Sequence, residues 1–154
     1  MRHLDINRLL HRVARTHFRE IEKGGSYDFT MQGFFVEKLP YGDTTTLMRC
    51  SYVGPRPSFK DYDEMFEVYA LDILSPRTMR NFRALIGGLS HELAHLVAFR
   101  EGIRKPHDER AIDQTVIERG LCQYLLAMKS RLCEWDPDFR FTGYTPEEVS
   151  GRLS

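Results

Sequence analysis

An α+β fold is predicted for this chain from three observations: helical periodicity at the N-terminus, a middle third rich in β-branched and aromatic residues cut by Pro/Gly turns, and further helical stretches in the C-terminal half. Residues 3–23 place Ile6, Leu10, Val13, Ala14 and Ile21 on one helical face, and Gly24 and Gly25 follow as a stop. Residues 33–36, 44–53 and 65–74 are expected to be the strands of a small three-stranded sheet, separated by the turn signals Pro40-Tyr41-Gly42-Asp43 and Gly54-Pro55-Arg56-Pro57. Ser75 as N-cap and Pro76 at the first helical position then open a helix over 76–100. Gly102 and Pro106 break it, and a second long helix over 107–133 carries Val116, Ile117, Leu121, Tyr124, Leu125 and Met128 at apolar positions. From Trp135 the pattern is a loop, until Thr145-Pro146-Glu147-Glu148 announces a short last helix by its capping-box spacing.

With 154 residues, 42% hydrophobic, the chain is long enough to bury a core, and 1–154 is read as a single domain. Twenty-two basic and twenty-two acidic residues cancel, so no global field draws the molecule to nucleic acid or an acidic membrane. A local stripe of Arg8, Arg12, Arg15 and Arg19 lies opposite the apolar face of the first helix. Nucleic acid is thus a possible partner, but a solvated face balanced by Asp5, Glu20 and Glu22 is favoured. Asp61, Asp63 and Glu64 read as an exposed loop. No apolar run approaches the roughly 20 residues of a membrane span, and the N-terminus is charged throughout; no membrane association and a cytoplasmic protein are expected. Cys50, Cys122 and Cys133 are odd in number, widely spaced and without a CxxC pair, which fits free thiols. His17 falls within the apolar stripe and is read as a buried, hydrogen-bonded histidine.

Residues 91–95, His-Glu-Leu-Ala-His, spell HExxH. Positions i and i+4 of a helix lie about one turn apart on one face, so His91 and His95 can both offer a ring nitrogen to one ion. At about 100° per residue, Glu92 shares that polar side, while Phe82, Leu85, Ile86, Leu89, Leu93 and Leu96 form the adjoining core face. Glu92, angled off the metal, can take a proton from an activated water and pass it to a leaving amine. Gly88, one turn earlier, leaves space above the metal. A catalytic zinc site takes three protein ligands and keeps one position for water, and the downstream candidates are Glu101, His107, Glu109, Asp113 and Glu118. Glu101 is a poor choice, because the glycine turn of HExxHxxGxxH is Ala98 here and the helix continues. Glu109 and Asp113, four apart on the next helix, can divide the work, one on the metal and one behind a histidine. His107, just beyond Pro106, is the alternative metal ligand. Tyr41, Tyr52 and Tyr124 are candidates for steadying a tetrahedral oxyanion.

HExxH followed on the next helix by Glu109-Arg110-Ala111-Ile112-Asp113 resembles the gluzincin arrangement. That resemblance implies Glu109 as third zinc ligand and Asp113 as the carboxylate hydrogen-bonded to ligand His91. The order of helix, small sheet, HExxH helix and glutamate helix, with the short spacing between the motifs, is similar to the ImmA/IrrE-like metallopeptidase family. The lead-in Ile86-Gly87-Gly88-Leu89-Ser90 and the acidic cluster depart from that family's usual forms. A SprT-like protease is a weaker likeness, since its third histidine lies farther downstream. The expectation is a zinc metallopeptidase with Zn2+ on His91, His95 and Glu109 and with Glu92 as general base. The ImmA/IrrE likeness implies a protein substrate, such as a regulatory protein cleaved at an exposed loop. The alternative is a non-catalytic, metal-stabilised protein- or DNA-binding module.

Overall fold

The first helix, α1 (Ile6–His17), starts where Asp5 accepts hydrogen bonds from the amides of Asn7 and Arg8, both at 3.1 Å. The single helix expected over 3–23 is instead interrupted at Phe18, whose φ of −130° and ψ of 58° leave the helical region, and resumes as α2 (Arg19–Glu22). Phe18 is fully buried, so its side chain is bought into the core at the expense of helix continuity. Ile6, Leu10, Val13, Ala14 and Ile21 are all buried, as the periodicity requires. The computed structural model describes residues 5–22, 29–37, 48–57, 65–74, 81–100 and 108–153. Gly24, Gly25, Tyr41, Asp61, Asp63, Glu64, Ser75, Pro76, Glu101, Gly102, Pro106 and His107 lie outside the described residues.

Three strands, β1 (Phe29–Val36), β2 (Met48–Pro57) and β3 (Met65–Leu74), form one mixed sheet in the order β1-β3-β2. The central β3 pairs parallel with β1 and antiparallel with β2. Two boundaries differ from the sequence expectation. β1 begins four residues earlier than 33, and β2 runs on through Gly54-Pro55-Arg56-Pro57, the stretch read as a turn. Proline is tolerated there because β2 is an edge strand, with a register shift between Tyr52 and Gly54. The sheet's inner face presents Gly33, Leu71, Ile73 and Met48, all buried. On the outer edge of β1, Asn7 of α1 binds both polar groups of Gly33, accepting from its N–H at 2.8 Å and donating to its C=O at 3.5 Å. That bond pair covers part of an open strand edge.

The third helix, α3 (Phe82–Arg100), is capped by Asn81, whose Oδ1 accepts from the Ala84 amide at 3.0 Å. This cap replaces Ser75 as the start of the described helix. Leu85, Leu89, Leu93 and Leu96 are buried, whereas Phe82, expected on the core face, is 55% exposed in the first turn. The long helix expected over 107–133 is two: α4 (Glu109–Glu118) and α5 (Cys122–Trp135). Gly120, at φ 79°, makes the break by adopting a left-handed backbone open to glycine. Turning there lets α4 and α5 both pack on α3. A last helix, α6 (Pro146–Ser150), begins with the expected capping box between Thr145 and Glu148.

Candidate metal centre

The fold brings the two acidic positions of α4 against the two histidines of α3. Asp108 starts α4 by accepting from the amides of Arg110 and Ala111 at 3.2 and 3.3 Å. One turn separates Glu109 from Asp113, so both side chains meet the same face of α3. His91 Nε2 lies 2.9 Å from Glu109 Oε2, His95 Nε2 lies 3.2 Å from Glu109 Oε1, and the two histidine Nε2 atoms are 3.1 Å apart. Three potential ligand atoms therefore converge on one point, and His91, His95 and Glu109 could together hold a metal ion. Two imidazole nitrogens and a carboxylate are donors that a divalent cation could share.

Asp113 stands behind His91. Its Oδ1 is 3.3 Å from His91 Nδ1, a contact short of full hydrogen-bond alignment. Its Oδ2 accepts from Lys129 Nζ at 2.6 Å and from the Tyr144 amide at 2.9 Å. Lys129 also donates to the Tyr144 carbonyl at 2.6 Å and stands 4.9 Å from the centre of the Phe141 ring. Both Asp113 and Lys129 are buried, so this is an interior ion pair, in which Asp113 Oδ2 takes two hydrogen bonds and Oδ1 faces His91. Gly143 makes the geometry possible, since a Cβ there would collide with Asp113 Oδ2 and come within 3.1 Å of the Glu109 carbonyl. On the other side, a Cβ at Gly87 would run into the Tyr124 carbonyl, so this glycine sets how closely α5 approaches α3.

Lys129, Gly143 and Tyr144 are absent from the residues singled out in the sequence. Lys129 did carry a signal: with Leu125, Met128 and Leu132 it completes an i, i+3, i+4, i+7 stripe, the buried face of α5. A lysine on an apolar stripe needs a buried carboxylate, and Asp113 supplies it.

Charge coupling across the site is strong. Burial works against a charged His91, but the Asp113 and Glu109 carboxylates overcome it and raise its pKa to about 10. Burial would raise the carboxyls of Glu109 and Asp113, yet His91 acts on both, joined by His95 at Glu109 and by Lys129 at Asp113, and both end below the ordinary carboxylate range. In the metal-free protein His91 is accordingly protonated at neutral pH. Because its folded-state pKa lies above the ordinary 6.5, its contribution to metal-free stability is complete below about 6.5 and is lost as pH rises through about 10. A metal ion must displace that proton. Uptake is expected to release about one proton per ion, with apparent affinity rising about tenfold per pH unit between roughly pH 7 and 9. Calorimetric titration in two buffers of different ionisation enthalpy measures the release directly.

A cleft of about 290 Å³ opens onto these atoms, lined among others by Met48, Gly88, His91, Glu92, His95 and Glu109, with Phe139, Arg140, Phe141 and Gly143 across from them. Glu92 reaches the cleft without joining the converging ligand atoms. Burial, with Glu109 adding to it and the two histidines opposing it, raises its pKa. Gly88 is closed over by the end of Met48, which fills the space a side chain would take. Cys50, in β2, is kept a neutral thiol: burial, then Glu92 and Asp72, push it up to about 12. Glu118 is exposed and hydrogen-bonded to Gln114. Tyr124 is half-buried away from the cleft, and His17 is half-buried with Nδ1 3.2 Å from the Arg119 carbonyl. All three cysteines are free. Among the described residues no helix is long and apolar enough to cross a membrane. Comparison with protein-family models, curated proteins and solved structures found no match to this chain.

Proposed function

We propose that the protein is a zinc-dependent metallopeptidase of gluzincin type, with His91, His95 and Glu109 as ligands and Glu92 as general base. The observation that carries this reading is the pairing of three converging ligand atoms with a fourth, separate carboxylate in the same cleft. The donor set fits the ion: two imidazole nitrogens and a carboxylate are ordinary zinc ligands, and here the ring nitrogens are 3.1 Å apart, with one Glu109 oxygen 2.9 Å from His91 and the other 3.2 Å from His95. Asp113 adds a carboxylate 3.3 Å behind the His91 ring, the position from which an outer carboxylate orients a ligand histidine. The adjoining cleft supports an open coordination position over a closed structural site.

A zinc ion held there would supply Lewis acidity, polarising a carbonyl and acidifying water. Glu92 accepts the proton of the attacking water on its carboxylate and delivers it to the leaving amine. Burial raises the pKa of this carboxylate above that of an exposed glutamate, the direction a general base needs. Asp113, itself held by Lys129, backs the His91 ring, and the 139–143 segment lines the cleft. The substrate on this reading is a protein segment, such as an exposed loop of a regulatory protein. A proteome-derived peptide mixture tests it: zinc-loaded protein should generate new N-termini that disappear on chelation and return with zinc. Absence of any zinc-dependent cleavage would overturn the proposal.

A further inference from the structure

The wall of the cleft facing the HExxH helix is built by the segment between α5 and α6, and its side chains alternate. Phe139 and Phe141 turn inward, their rings 4.7 Å apart at 61°, while Arg140 is exposed. Met128 and Leu132 of α5 continue the apolar lining below the two rings. The cleft thus has an apolar recess beside the ligand cluster and one arginine on the same wall.

Charge balance gives that arginine its significance. The titratable side chains lining the cleft among the described residues are His91, Glu92, His95, Glu109, Lys129 and Arg140. Lys129 is neutralised by Asp113 at 2.6 Å. Glu92 and Glu109 together balance a divalent cation. Arg140 remains as the uncompensated charge, with no ion pair among the described residues. An exposed guanidinium at the rim of the cleft is a selective partner for a carboxylate, which it can engage with two parallel hydrogen bonds.

Resting on the metallopeptidase reading, we infer that the cleft selects an acidic substrate segment, in which an aspartate or glutamate carboxylate meets Arg140 and a neighbouring bulky apolar side chain enters the recess of Met128, Leu132, Phe139 and Phe141. The cleft volume, at the lower end of the range of about 300–1,000 Å³ for ligand sites, suits a short stretch around the scissile bond. Selectivity then comes from two adjacent side chains, one apolar and one anionic.

The test uses two peptidyl hydroxamates that differ in one group, Leu-Glu and Leu-Gln, titrated calorimetrically into the zinc-loaded full chain. The Glu probe should bind about tenfold more tightly than its Gln twin, the scale of a charge-assisted hydrogen bond in a cleft. Arg140→Gln should abolish the preference and Arg140→Glu should reverse it, with zinc content unchanged in both. Equal binding of the twins to the wild type, or a preference that survives Arg140→Gln, would overturn the inference while leaving the metallopeptidase reading standing. Failure of both probes to bind zinc-loaded protein would instead remove the open metal site, and the inference with it.

Discussion

Glu92→Gln is expected to keep the metal and to slow peptide-bond cleavage by about 10²–10⁴-fold, the usual worth of a positioned general base. The two halves of this expectation have separate causes. Metal is retained because Glu92 lies outside the converging set of His91, His95 and Glu109. Cleavage fails because an amide of nearly the same shape can neither accept the proton of water nor return it to the amine. Zinc content and the yield of new N-termini, measured on the same preparations, check both halves. Undiminished cleavage by the variant would take Glu92 out of its assigned role.

Lys129→Met is expected to destabilise the fold by about 3 kcal/mol, the lower end of the cost of breaking a buried ion pair, because Asp113 keeps the protonated His91 as a second cationic neighbour at 3.3 Å. Asp113 would keep its bond from the Tyr144 amide but lose the 2.6 Å bond from the ammonium, in a place with no access to water. Methionine matches much of the lysine stem, so the loss reports charge more than volume. The tail is affected as well, because Lys129 also ties the Tyr144 carbonyl to α5. Urea denaturation gives the magnitude. A double variant that adds Asp113→Asn should lose less than the sum of the two single changes, since the second removes the orphaned charge. Strict additivity would mean that the two residues do not act as a pair.

Most of the helices and the clustering of His91, His95 and Glu109 were readable in the sequence for physical reasons that also mark where reading stops. HExxH and the Glu109/Asp113 pair depend on helical spacing, a local property, and the fold needed only to bring the two helices together. Strand β3 was readable to the residue because its apolar run is bounded on both sides. β2 was misplaced because Pro55 and Pro57 read as a turn unless the strand is known to lie at an edge, which is a tertiary fact. Gly120 was passed over because one glycine within an apolar-periodic stretch is usually tolerated, and only its positive φ shows that it divides α4 from α5. Phe18 broke α1 for a similar reason, with burial overriding local propensity. Asp113 was placed by analogy with a metal site, but its second partner was not: Lys129 is sixteen residues away and on another helix. Arg140 has no periodic signature at all. Its position on the cleft wall follows from where the segment after α5 returns.

The central claim is that His91, His95 and Glu109 hold one metal ion, and zinc per chain in the wild type beside Glu109→Ala tests it most directly. Competition titration of the chelated protein should give about one zinc per wild-type chain. Truncation of Glu109 should weaken binding by more than the roughly 10–100-fold typical of losing an outer partner, because it deletes the carboxylate 2.9 and 3.2 Å from the two histidines. A wild-type chain that takes up no zinc, or a Glu109→Ala chain that binds it equally well, would contradict the account.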